Sequence, residues 1–138
     1  MPGSTRHPHF GREALEALLA SMGIAYRHFP GLGGRRVPAP DSVNTAWRHA
    51  AFRGYADYMR TNNFRRCVEA LEAYATTPTA VMCAEAVWWR CHRRLLADTL
   101  IVRGVEVRHI LSLAEAKLHD LSEFARADGR GLIYPGLL

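Results

Sequence analysis

Residues 79–94, TAVMCAEAVWWRCHRR, run from an apolar stretch ending at Cys83, through a loop with two tryptophans, into Cys91-His92-Arg93-Arg94. TAVMC follows Pro78 and predicts a short buried strand; residues 89–103 predict a helix that Gly104 ends. A strand feeding directly into a helix is the repeating unit of a layered α/β fold with parallel pairing. In such a sheet ligands sit beyond the carboxyl ends of the strands. Cys83 falls at such an end, and Cys91 in the first turn of the following helix.

The rest of the chain extends the same pattern. In FGREALEALLASM, 10–22, Leu15, Leu18, Leu19 and Met22 share a helical face, and Gly23 stops the helix. IAYRHF, 24–29, predicts a short strand. Residues 31–45 are rich in Gly, Pro and Arg and predict a mobile, exposed connection. Phe52, Tyr55 and Met59 mark a helix over about 47–58. Thr61-Asn62-Asn63 cap the next helix, whose stripe is Phe64, Cys67, Val68, Leu71 and Ala75. VEVRHI, 105–110, predicts a third strand, and Ser112-Leu-Ala-Glu115 is a capping-box pattern opening a C-terminal helix over 112–126. The expectation is one α/β domain over 1–138, with a short, mostly parallel sheet flanked by helices. Three strands against five helices make that sheet narrow.

The chemistry gathers between Cys83 and Arg94. A helix N-terminus offers unpaired N–H groups and a positive dipole end. With Arg90, His92 and Arg93 close by, both effects favour thiolate over thiol at Cys83 or Cys91 and would hold an oxyanion. Glu85 is the carboxylate within reach, able to hold a guanidinium, orient His92 or carry a proton. Each feature has a plainer reading as well. A buried cysteine is most often a small apolar filler, the class in which Cys67 belongs. Trp88 and Trp89 read as core or lid packing. Cys83 and Cys91 are seven residues apart with no second pair, which does not match structural zinc spacing. A Cys-x-x-Cys redox motif is also absent.

Three cysteines in 138 residues argue against a disulfide-stapled scaffold. The net charge is +5, and every basic residue except Lys117 is an arginine. Arginine suits bidentate binding of phosphate or carboxylate, although a GC-rich genome would produce the same bias. No apolar run approaches the roughly 20 residues that cross a bilayer, and MPGSTRHPHFGRE lacks the apolar segment of a secretory signal. A cytoplasmic chain without membrane contact is expected.

Cys83-Ala84-Glu85 followed by Cys91-His92-Arg93 resembles the CAE…CHR signature of the bacterial and archaeal family known as domain of unknown function 488. Leu32-Gly33-Gly34, Phe52-Arg53-Gly54-Tyr55-Ala56 and His109-Ile110 are similar to further family motifs, in the same order. Ser4, Arg6, Pro8 and Phe10 are similar to its S-x-R-x-P-x-F stretch. The resemblance covers about residues 4–110 and implies an α/β fold with polar signature residues at strand ends; it does not identify a substrate, and the cofactor is left unknown. Members usually begin earlier, with strands ending in Gly-His-Ser and Asp-Val-Arg. The chain is therefore expected to be truncated at its N-terminus relative to the family. An open sheet edge would then invite a homodimer.

Three functional readings follow. One is a thiol-dependent enzyme, or its remnant, acting on an anionic small molecule or phosphate group. Cys83 or Cys91 would be its nucleophile, Glu85 or His92 its proton carrier, and Arg90, Arg93 and Arg53 its anion contacts. A second is a nucleic-acid-binding module using Arg35, Arg36, Arg48, Arg53, Arg65 and Arg66 with His49 and Trp47. The third is a structural domain in which the signature residues hold the 83–94 turn together.

Overall fold

The computed structural model describes residues 6–137; Ser4 of the expected N-terminal stretch lies outside them. Four α-helices form among the described residues: α1 (Arg12–Ser21), α2 (Ala50–Tyr58), α3 (Asn62–Tyr74) and α4 (Arg93–Val102). Their ends follow local chemistry. The Thr61 side chain accepts from the Phe64 N–H to cap α3. Gly23 and Gly104 take positive φ of 71° and 86° just past α1 and α4, a conformation that costs glycine little.

The core forms where α2, α3 and α4 meet. Tyr55, Ala56 and Met59 of α2 pack with Phe64, Val68 and Leu71 of α3 and Leu95, Leu96 and Leu100 of α4. Leu32 enters this core from one loop, and Leu132 and Tyr134 from the C-terminal segment. Only Leu15 of the α1 apolar face is buried; Leu18 and Met22 stay exposed.

The mostly parallel sheet does not form. Among the described residues the strands form two antiparallel pairs, β1 (Arg108–Ile110) with β2 (Ala116–Leu118) and β3 (Arg126–Ala127) with β4 (Leu132–Ile133). IAYRHF and TAVMC run without strand assignment, and residues 25–28 and 79–84 make no backbone–backbone hydrogen bond with any described residue. A strand exists only where another backbone lies alongside to satisfy its N–H and C=O groups. No described backbone pairs with these two, so apolar composition alone does not make them strands, and Val81 and Met82 are exposed.

The C-terminal helix over 112–126 is likewise replaced. Residues 111–115 form the tip of the β1–β2 hairpin, closed by Leu111 and Ser112 N–H groups on the Glu115 carbonyl and Glu115 N–H on the Ser112 carbonyl. The Ser112 hydroxyl accepts from the Ala114 N–H. A serine that caps a helix can equally close a turn, and here the turn wins. Asp128-Gly129, with Gly129 and Gly131 at positive φ, makes the second hairpin.

The 31–45 connection is tied down by α2. Asp57 accepts from the Ala39 N–H at 2.8 Å, the Ser42 hydroxyl at 2.6 Å and the Asn44 amide at 2.7 Å. Asn44, fully buried, accepts in turn from the Tyr134 N–H at 2.8 Å. The hydroxyls of Tyr55 and Tyr58 donate to the Leu32 and Gly31 carbonyls.

Candidate functional site

The segment after α3 crosses exposed residues to Cys83, turns at Trp88–Arg90 in one 3₁₀ turn, and enters α4. This path brings Cys83 back against the start of α4, where its sulfur lies 2.9 Å from that of Cys91. Cys91 precedes the helix, outside the first turn in which the sequence places it. Its sulfur occupies the position of a capping acceptor, receiving the Arg93 N–H and the Arg93 Nε–H, each at 3.4 Å. His92 Nδ1 is 3.4 Å from the same sulfur.

The environment separates the two thiols. The Cys91 thiol is pushed well down, first by the hydrogen bond from Cys83, with burial opposing and the His92 and Arg93 donors adding to the lowering. The Cys83 thiol is pushed up, first because it supplies that hydrogen bond and then by burial. The shared hydrogen bond couples the two thiols, and the Arg93 donors favour negative charge on the Cys91 side. Cys91 is buried, at 2% exposure, whereas Cys83 is half-buried and forms the solvent side of the pair.

The predicted site residues divide. Cys83, Cys91, His92 and Arg93 come together. Glu85 joins through its main chain: its N–H donates to the Cys83 sulfur at 3.3 Å and its carbonyl accepts from the Arg93 guanidinium. Among the described residues, no hydrogen bond or ion pair engages its exposed carboxylate or the exposed Arg90 side chain. Arg53 contacts neither sulfur; it lines a separate concavity of ≈ 410 Å³ with Pro38, Ala39, Pro40, Ser42 and Thr45. Arg94 turns to the Ser122 hydroxyl and lies over the Trp47 ring, 5.0 Å from its centroid. Of the arginines considered for nucleic acid, Arg36 is stacked on Tyr58 and bound to the Gly31 and Gly33 carbonyls.

His92 is seated by its neighbours. Its ring packs on Tyr55 with centroids 5.1 Å apart. On the other side a Cβ at Gly34 would sit 2.3 Å from Nδ1, so only glycine leaves room for this ring. One ligand atom each from Cys83, Cys91 and His92 lies within 4.8 Å of the others. Among the described residues this is the one cluster of such groups able to hold a metal ion.

The sequence model of the family described as Domain of unknown function DUF488 matches residues 1–100. The chain belongs to this DUF488 family. No curated protein and no solved structure matches the chain. The DUF488 match contains all of the thiol cluster and ends inside α4.

A buried polar group, not marked by any sequence motif at its centre Asp98, spans that boundary. Asp98 of α4 is fully buried and accepts at Oδ1 from His119 Nε2 at 2.8 Å and the Ser122 N–H at 3.0 Å. Its Oδ2 accepts from the Tyr134 hydroxyl at 2.9 Å. Burial alone would raise this carboxyl; the three donors together hold it below its ordinary range. His119 Nδ1 meets His109 Nε2 at 2.7 Å, and Trp88 stacks flat on His109 at 3.8 Å between centroids. The available signal was one acid inside the apolar run Leu95-Leu96-Ala97-Asp98-Thr99-Leu100, a position that demands a buried partner. Trp88 thus packs against the C-terminal segment, while Trp89 is exposed.

Proposed function

We propose that this DUF488 chain is a thiol-dependent enzyme whose reaction centre is the Cys83–Cys91 pair and whose substrate carries negative charge. One observation carries the reading: two free cysteine sulfurs stand 2.9 Å apart with arginine donors aimed at the inner one. Cys83 is the sulfur that solvent reaches, and it is the nucleophile. Its proton passes to Cys91 across the shared hydrogen bond, and the Cys83 thiolate so formed bonds to the electrophilic centre. The leaving group departs with the electron pair of the bond that breaks. Arg93 stays fixed by the Glu85 carbonyl and the Cys91 sulfur, so it offsets charge there without reorganising. Arg90, exposed and without a hydrogen bond or ion pair among the described residues, is the cation of this turn that recruits an anion.

Two alkylating reagents of the same size test this. Iodoacetate is anionic and iodoacetamide neutral, and peptide mass spectrometry reads each cysteine separately. Cys83 should label in the folded protein, and its rate with iodoacetate relative to iodoacetamide should exceed that of a free thiol. Arg90→Gln should reduce that preference several-fold. Labelling of Cys83 only after unfolding, or equal preference in both proteins, refutes the reading.

A further inference from the structure

Beyond its thiol chemistry, and from the same convergence of atoms, we infer that Cys83, Cys91 and His92 form a three-ligand site for a thiophilic divalent cation, zinc being the best match. The donor set is two sulfurs and one imidazole nitrogen, the combination that selects zinc over oxygen-seeking cations. Zinc–sulfur bonds of about 2.3 Å and zinc–nitrogen bonds of about 2.0–2.1 Å put tetrahedral S···N edges near 3.5 Å and S···S edges near 3.8 Å. The Cys91 Sγ to His92 Nδ1 separation of 3.4 Å already has this value. The sulfurs, at 2.9 Å, share the proton that metal binding expels, and must part by about 0.9 Å to reach that edge. Cys83, on the exposed side of an unpaired segment, is the ligand free to make that shift.

The surroundings fit a ligand set. The Arg93 N–H and Nε–H donate to the Cys91 sulfur, the outer contacts that orient a metal-bound thiolate and disperse its charge. Gly34 and Tyr55 fix the imidazole with Nδ1 towards the sulfurs. Three protein ligands leave the fourth position to solvent or substrate, as in reactive rather than purely structural zinc sites. Spacing along the chain disfavoured zinc because it counted cysteine pairs; the third donor is the neighbouring histidine.

Cobalt(II) titration of the metal-stripped, reduced full chain tests the site. A sulfur-to-cobalt charge-transfer band should saturate at one equivalent and vanish on adding zinc. Cys83→Ser and Cys91→Ser should abolish the band, His92→Ala should weaken binding at least about tenfold, and Cys67→Ser should leave it unchanged. X-ray absorption on the wild-type zinc form should show two sulfurs and one imidazole, a measurement that needs no variant to fold. Absence of the band, its persistence in Cys83→Ser, or a shell of oxygen and nitrogen alone overturns the assignment. The thiol reading is judged separately on metal-free protein. Anion-biased labelling of Cys83 without cobalt binding sinks the metal site alone; cobalt binding without such labelling sinks the enzyme reading alone.

Discussion

Replacing Asp98 with alanine isolates the polar knot that holds the C-terminal segment to α4. The carboxylate is fully buried and accepts three hydrogen bonds, from His119, from the Ser122 main chain and from Tyr134, at 2.8, 3.0 and 2.9 Å. Alanine removes every acceptor and leaves three donors facing a void. An orphaned buried donor costs about 1–3 kcal/mol, and breaking a buried charged pair costs about 3–5 kcal/mol. Water entering the vacated space satisfies part of the deficit, so the expected loss is about 3–5 kcal/mol rather than the sum of three. For a domain stable by about 5–15 kcal/mol that is a large fraction. Asp98→Asn keeps one oxygen for His119 and Ser122 and presents its amide to the tyrosine oxygen; its loss should be about 1–2 kcal/mol. Urea unfolding followed by tryptophan fluorescence and circular dichroism gives both numbers, with unchanged slopes marking a change in stability alone. An alanine variant within about 1 kcal/mol of wild type, or an asparagine variant as damaged as alanine, would show that the knot is not what anchors the segment.

Two further outcomes are expected. His109 is lowered to about 4 by burial, with His119, Arg93 and Lys117 adding like charge and Asp98 opposing them. The unfolded chain takes up this proton near pH 6.5 and the folded chain only near 4, so the stability it contributes is complete above the first value and lost between the two. Asp98, whose carboxyl is held down, loses its share only below its ordinary range. Unfolding free energies from pH 7.5 to 4.5 should fall, and His109→Gln should flatten the slope; an unchanged slope refutes the assignment. At Gly54, a Cβ would lie 2.5 Å from the Arg36 carbonyl oxygen and 2.7 Å from the Val37 carbonyl carbon, both backbone atoms. Gly54→Ala should therefore destabilise by about 1–3 kcal/mol, although alanine in an open helix would add about 1 kcal/mol. A raised melting temperature would show that α2 does not press on the 36–37 backbone.

Much of the site was legible because it is local. Cys83, Cys91, His92 and Arg93 lie within eleven consecutive positions beside a helix start that the sequence also marks, and the chain has only to turn once to join them. Arg53 and the Glu85 carboxylate were misplaced for the opposite reason. Their roles needed a side-chain direction, which depends on the elements packed around them, and the packing sends Arg53 to another concavity and leaves the carboxylate in solvent.

The same division runs through the whole chain. Sequence alone determined the four helices, the stops at Gly23 and Gly104 and the Thr61 cap, since helical hydrogen bonds and caps join residues a few positions apart. Tertiary structure alone decided what IAYRHF, TAVMC and VEVRHI become, because a strand is completed by a backbone from elsewhere. Only part of the last, Arg108–Ile110, finds one, and that partner is the antiparallel stretch Ala116–Leu118. It alone also joined Asp98 to His119, Ser122 and Tyr134: a buried carboxylate demands donors, but nothing in its own segment says which distant residues will bring them.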